Sequence, residues 1–199
     1  RVPAIDILGR LRAPAAVPLL VSLLSDADDN ARARAAHSLG VVGDPRAAPE
    51  LVRALEDPAW PVRAMAAKAL GMLAGAVGIE ALEAALGDRE WWVRSNAADA
   101  LRQKGEPGHR ALVRLLDGPD AYAAQKAAWM LQEAGVLDHY VAQLVDGTRP
   151  ERAAARALLA KLVGLQRIDL LTDIAQRHKD PQVRAALTDL LAVVTVAPR

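Results

Sequence analysis

Four carboxylate–guanidinium pairs recur along the chain at one spacing: Asp26 and Arg32, Asp57 and Arg63, Asp88 and Arg94, Asp146 and Arg152, each Arg six residues after its Asp. Arg184 holds the same slot, with the acid displaced to Asp180. An Arg side chain is a planar fork that binds carboxylates through two parallel hydrogen bonds, so such a series can hold an anionic ligand or a neighbouring stretch of chain. A pair that returns at the same slot of successive units is what stacking asks of every unit. The series therefore reads as structural.

Little else offers chemistry. His37, His109, His139 and His178 are scattered, and none is paired with a Glu or with a second ligand at helical spacing, so neither a metal nor another cofactor is expected. Asp26, Asp28, Asp29 and Asn30 loosely resemble a calcium loop, but the Gly turn and the distant bidentate Glu are missing; a helix-capping turn is the better reading. Ser95 stands near Asn96 and Asp99 without a His on the same helix, so no nucleophile–base pair is formed. Gly71, Gly75 and Gly78 follow no strand and match no phosphate loop. No catalytic residue is expected, and the chain reads as a non-enzyme.

The elements that position these residues follow from a repeat. Asp57–Gly71 returns 31 residues later as Asp88–Arg102 and 31 residues earlier as Asp26–Gly40. The Leu that closes the repeated helix falls at Leu8, Leu39, Leu70 and Leu101, then at Leu131, Leu159 and Leu191 as the period loosens. A fixed period of this length marks an array whose units bury their apolar faces by stacking. Each unit reads as two helices separated by Asp, Pro and Gly turns. About six units are expected, near 13–43, 44–74, 75–105, 106–134, 135–164 and 165–195, in one continuous domain over 1–199. Leu8-Gly9 matches Leu39-Gly40, so residues 1–12 read as the partial helix of a preceding unit, and the sequence as a fragment of a longer protein.

In the second helix of each unit, positions 1, 4 and 8 before the closing Leu share its face: Ala69, Ala66 and Val62 in one unit, Ala100, Ala97 and Val93 in the next. Composition agrees. Hydrophobic residues make up 52% of the 199, aromatics only 3%, and the apolar content of Ala, Leu and Val suits close-packed helices. No Cys is present, which excludes disulfides and thiolate metal sites. A net charge of +1 is a poor match to a nucleic-acid footprint. The longest apolar runs, Val17–Leu24 and Leu190–Ala197, fall far short of the roughly 18 residues of a membrane span.

The pattern Leu-x-Asp-Pro-x-x-x-Val-Arg-x-x-Ala-Ala-x-Ala-Leu, quoted from Leu55 to Leu70, resembles the HEAT repeat, and more closely the short bacterial form named after phycocyanobilin lyase subunits. The likeness covers essentially the whole chain and is sharpest in the units ending at Leu39, Leu70 and Leu101. Later units depart from it: Ala124 stands in the Arg slot, and Arg156 on a flank where other units carry Ala. The resemblance implies an all-α fold, an α-α superhelix with first helices outside and second helices lining the concave face. It also implies that Asp26, Asp57, Asp88 and Asp146 form with Arg32, Arg63, Arg94 and Arg152 a hydrogen-bonded ladder between neighbouring turns.

On that expected concave face the outward slots carry Asn30, Arg34, His37 and Val41, then Pro61, Met65, Lys68 and Met72. Next come Trp92, Asn96, Asp99 and Gln103, then Tyr122, Lys126, Trp129 and Glu133. Trp92, Tyr122 and Trp129 with Met65 and Met72 make an apolar patch, and Asn96, Lys68, Asp99 and Lys126 its polar surroundings. Exposed apolar patches anchored by Trp and Tyr mark binding surfaces. Trp60 and Trp91, one unit apart at helix starts, are read instead as covers of the seam between units.

The expectation is a monomeric scaffold for a protein or peptide, with no nucleic acid as partner and no membrane insertion in this segment. The expected compartment is the bacterial cytoplasm, or else the soluble part of a membrane-anchored protein. The repeat subtype keeps a bilin lyase or chaperone subunit as the alternative. A DNA-binding array of the HEAT-like glycosylase kind would need a basic groove, whereas here Arg34 and Lys68 alternate with Asp99 and Glu133.

Overall fold

The computed structural model describes residues 2–165 and 168–196. Arg1, at the start of the expected partial helix, Gln166 and Arg167 in the last expected unit, and Ala197, which closes the second apolar run, lie outside the described residues. The fold class is the expected all-α array of two-helix repeats. The chain divides into two compact units, Arg1–Leu115 and Leu116–Arg199, and the boundary falls inside the expected fourth repeat.

The first unit contains α1 (Val2–Arg10), α2 (Val17–Ser22), α3 (Asp29–Val42), α4 (Ala48–Ala54), α5 (Trp60–Met72), α6 (Ile79–Ala85), α7 (Trp91–Gln103) and α8 (Glu106–Leu115). The first helices are short because Pro fixes their starts: Pro14–Ala16 and Pro45–Ala47 are single 3-10 turns that lead into α2 and α4. The second helices α3, α5 and α7 begin after turns of one conformation, with cap residues Asp28, Ala59 and Glu90 all extended, at φ −84°, −85° and −94°. They end where the sequence signals a stop, as at Gly43, a left-handed cap with φ 77° that L side chains rarely adopt.

The core of this unit is the row α1, α3, α5, α7, each helix packed on the next, with α2, α4 and α6 laid against it. The periodic stripe is buried: Val62, Ala66, Ala69 and Leu70 in α5, Val93, Ala97, Ala100 and Leu101 in α7. The flanking Ala36, Ala67 and Ala98 are buried too, as small residues must be where helices approach closely. The Gly after the closing Leu sets how close. A Cβ on Gly40 would lie 2.6 Å from the Ala69 Cα, and one on Gly71 2.8 Å from the Ala100 Cα. Gly9 sits the same way against Ser38, whose hydroxyl donates to the Ile5 carbonyl.

The second unit holds α9 (Ala121–Glu133), α10 (Val136–Asp146), α11 (Arg149–Gly164), α12 (Ile168–Arg177) and α13 (Pro181–Val196). Its closest packing is within hairpins, α10 on α11 and α12 on α13, and α10 and α11 also touch α13. Asp120 caps α9 by accepting from the Tyr122 and Ala123 N–H groups, and Thr148 with Glu151 forms a capping box for α11. Leu131 and Leu159 are fully buried. Among the described residues no helix is long and apolar enough to cross a membrane.

Candidate functional site

The Asp/Arg series forms its most complete geometry in the first unit. Arg32 donates from Nε and Nη2 to the two carboxylate oxygens of Asp57, at 2.8 and 3.0 Å. Arg63 does the same with Asp88, at 2.7 and 3.0 Å. Each guanidinium thus bonds the acid of the following repeat, and its remaining nitrogen turns back onto its own turn: Arg32 Nη1 donates to the Asp26 and Ala27 carbonyls, Arg63 Nη1 to those of Asp57 and Pro58. The acid also caps: Asp57 accepts from Ala59 N and Asp88 from Glu90 N. Arg94 donates to the Asp88 and Arg89 carbonyls, Arg152 to the Gly147 carbonyl and Arg184 to those of His178 and Lys179. The six-residue spacing therefore encodes a bond to the turn backbone, and the carboxylate fork spans 25 residues to the next repeat.

These pairs are largely withdrawn from solvent. Burial alone would raise the Asp57 and Asp88 carboxyls, but the Arg32 and Arg63 forks and the Ala59 and Glu90 N–H groups outweigh it, and both carboxyls sit below the ordinary range. Each fork holds both oxygens of one carboxylate, and its chemistry is that of a joint.

The outward slots of the first unit differ in how far they are free to bind. Trp92 is 56% exposed and Met72 38%, and Lys68 is exposed. Met65 is only partly exposed and packs against the core cluster of Ala33, Ala54, Val62 and Ala66. Asn96 spends its amide on the fold, donating to the Ala64 carbonyl at 2.8 Å and so tying α7 to α5. Asp99 accepts from Arg102 and from Gln103 on its own helix. The exposed apolar residues of these slots thus stand apart, Trp92 at the start of α7 and Met72 at the end of α5, and Asn96 and Asp99 already have partners.

In the second unit Trp129 is 46% exposed, with the Lys126 ammonium 4.2 Å above its ring and its indole N–H pointing to Glu133 at 3.4 Å. Tyr122 is half-buried at the start of the same helix. Trp129 is therefore the open aromatic of α9.

Three features were not legible from residue types. Trp60 and Trp91, expected to cover a seam, stand 41% and 48% exposed, and Trp91 meets Trp92 edge to face at 4.7 Å. Lys104 is buried at the end of α7 and donates to the Leu73 carbonyl at the end of α5, 2.7 Å away; burial holds its ammonium below the ordinary lysine value. A hollow of about 240 Å³ opens beside Asp6, Arg10, Arg34 and His37. Burial, then the charges of Lys68 and Arg34, lower the His37 imidazole, and its Nδ1 is enclosed without a hydrogen-bond partner. Among the described residues no group of three or more His, Asp or Glu is placed to hold a metal ion.

The family model for HEAT repeats matches residues 1–71 and 49–132, and the chain belongs to that family. None of the curated proteins compared with it matches. Among solved structures, the complex of CpcE and CpcF of phycocyanin lyase from Nostoc sp. PCC7120 is similar at 26% identity and TM-score 0.52, over 64% of this chain and 86% of that one. The archaeal HEAT-like repeats protein from Thermococcus onnurineus NA1 shares the fold, at 18% identity and TM-score 0.51 over 96% of this chain and 92% of that one.

Proposed function

We propose that this HEAT-repeat chain is a non-enzymatic scaffold that holds a protein or peptide segment against the outward faces of its second helices. The observation that carries the reading is Trp92, more than half exposed at the start of α7. A large aromatic left in water costs free energy that a partner recovers by covering it, and Trp is the commonest anchor of such contacts. Trp129 in the second unit offers a separate anchor of the same kind. Along the same outward slots Lys68 and Asp99 carry both signs, which suits a polypeptide partner better than a nucleic acid. The test is a pull-down from source lysate with wild type, Trp92→Ala, Trp129→Ala and the double variant, all shown folded by circular dichroism. Proteins retained by wild type and lost from the variants support the reading. Equal retention by the folded double variant rejects both anchors.

A second reading is favoured by the likeness to the phycocyanin lyase complex: a subunit that handles a bilin chromophore together with a partner chain. The 199 residues contain no Cys, so they carry no thioether to the pigment, and such a role would rest on non-covalent binding. Mixing the protein with free bilin tests it; an unchanged absorption spectrum rejects it.

A further inference from the structure

Trp60 and Trp91 occupy the first helical position of α5 and α7, outside the slots assigned to the outward helix faces. The turns that precede α3, α5 and α7 are copies of one another, and the Arg32–Asp57 and Arg63–Asp88 forks pin each to the next. Equivalent residues of these turns therefore form columns that step by one repeat. The first helical position gives the column Asp29, Trp60, Trp91. All three side chains are exposed, and the two indoles leave a broad apolar surface on an edge that loops usually keep polar.

Charge says what would cover it. In these turns Asp28, Asp29 and Glu90 stand outside the Arg forks, opposed by Arg89. One N–H at each of these starts is already taken, by Asp28 at Asn30, by Asp57 at Ala59 and by Asp88 at Glu90. A carboxylate and two indole faces in register share one preference, for cations: the first through charge, the others through the negative face of the ring. Packed helices lie about 8–10 Å apart. A polyproline-II stretch, with three residues per turn at about 3.1 Å each, covers that distance in three residues and brings the side chain back to the same face.

We infer that this edge is a docking surface for an extended, arginine-bearing peptide, whose guanidinium groups, spaced three residues apart, stack on Trp91 and Trp60 and pair with Asp29. Arg fits better than Lys because its plane stacks on an indole while its edge remains hydrogen-bonded. Trp91 is backed by its edge-to-face contact with Trp92, which holds the ring without covering its exposed side.

The test is a fluorescence titration of the whole chain with a synthetic peptide carrying arginine at every third position between serine and glycine. Saturable quenching that weakens steeply with salt is expected. Trp60→Ala and Trp91→Ala are each expected to weaken binding about five- to tenfold, in line with desolvated cation–π contacts. Asp29→Lys should weaken it further. Because some signal is lost with each Trp, affinities of the variants are read by calorimetry, and their folding by circular dichroism. Equal affinity of the folded Trp60→Ala/Trp91→Ala protein would overturn the assignment. So would stronger binding of the matching glutamate peptide, or of a single-stranded oligonucleotide.

Discussion

The turns of the two units use one Arg clamp and complete it differently. In the first unit Arg32 and Arg63 grip the backbone of their own turn and the carboxylate of the next. In the second, Arg152 and Arg184 keep the backbone grip, while the slot six residues before Arg184, where the acid of the fork would stand, holds His178. The difference separates two jobs that the motif had merged. The bond to the turn carbonyls shapes the start of a second helix and works inside any one repeat. The fork to the following acid is a joint between repeats, and it exists only where the period stays at 31.

The joint is therefore the place where the comparison breaks most visibly. Asp88→Ala leaves the nearly buried Arg63 guanidinium without its carboxylate and removes the cap on Glu90 N. Stranding a buried charge costs about 3–5 kcal/mol, and a loss of that size is expected in urea unfolding followed by the fluorescence of the first unit's Trp residues. Arg152→Ala, at an exposed site, should change stability by no more than about 0.5 kcal/mol. Equal effects at the two positions would show that the fork carries no more than the backbone grip.

Glycine gives the next contrast. Gly71→Ala places a methyl 2.8 Å from the Ala100 backbone; overpacking of about 1–3 kcal/mol competes with a gain of about 1 kcal/mol in helix propensity, and a net loss is expected. At Gly164, which ends α11, a Cβ meets nothing within 4 Å, and Ala there should be neutral or stabilising by a few tenths to about 1 kcal/mol. Thermal midpoints of the two variants moving in the same direction would refute the idea that Gly sets the helix approach in the first unit.

What the residue order makes legible divides along the same line. The buried stripe of Val62, Ala66, Ala69 and Leu70 was legible because 3.6-residue periodicity fixes a helix face without knowledge of the partner. The role of Gly71 was not, since a sequence gives the face of a helix and not its distance from the next. The outward slots showed which residues leave the core, so Trp92 could be named. That Asn96 bonds the Ala64 carbonyl and Met65 leans on the core could not, because those depend on which atoms of a neighbouring helix happen to be unpaired or close. Trp60 and Trp91 went the other way. A Trp at a helix start reads as a cover of the seam, but how much of the indole stays in water, 41% at Trp60 and 48% at Trp91, depends on the neighbouring turn and not on residue type.

Acid tests the joints as a set. The Asp57 and Asp88 carboxyls lie below their unfolded value of about 4, so the native state binds protons less readily than the unfolded chain, and their stabilisation is full above that pH and lost as pH falls through the folded values. His37, lowered by burial, acts with the same sign nearer neutrality: its contribution is present above about pH 6.5 and declines below it. Wild type should weaken in two stages on acidification. His37→Gln should remove the upper stage and leave the lower, and Asp57→Asn/Asp88→Asn the reverse. A single stage common to all three proteins would assign the acid sensitivity elsewhere.

The smallest effect expected belongs to Lys104. Its ammonium spans one repeat of the first unit to reach the Leu73 carbonyl, and the second unit has Ala134 in its place, three residues after Leu131 as Lys104 is after Leu101. A cation at a helix end is favoured by the exposed carbonyls there, but burial works against the charge and leaves the group below its unfolded value of about 10.4. Between the folded and the unfolded value the unfolded chain holds the proton more tightly, so stability rises with pH across that interval. Lys104→Met keeps most of the methylene packing and removes the titration. The stability of wild type minus that of the variant, measured by urea unfolding from about pH 7 to 10, should therefore climb with pH, because every other group cancels in the difference. A flat difference would mean that water reaches the ammonium, and that the end of α5 is held by packing in the first unit without help from the charge.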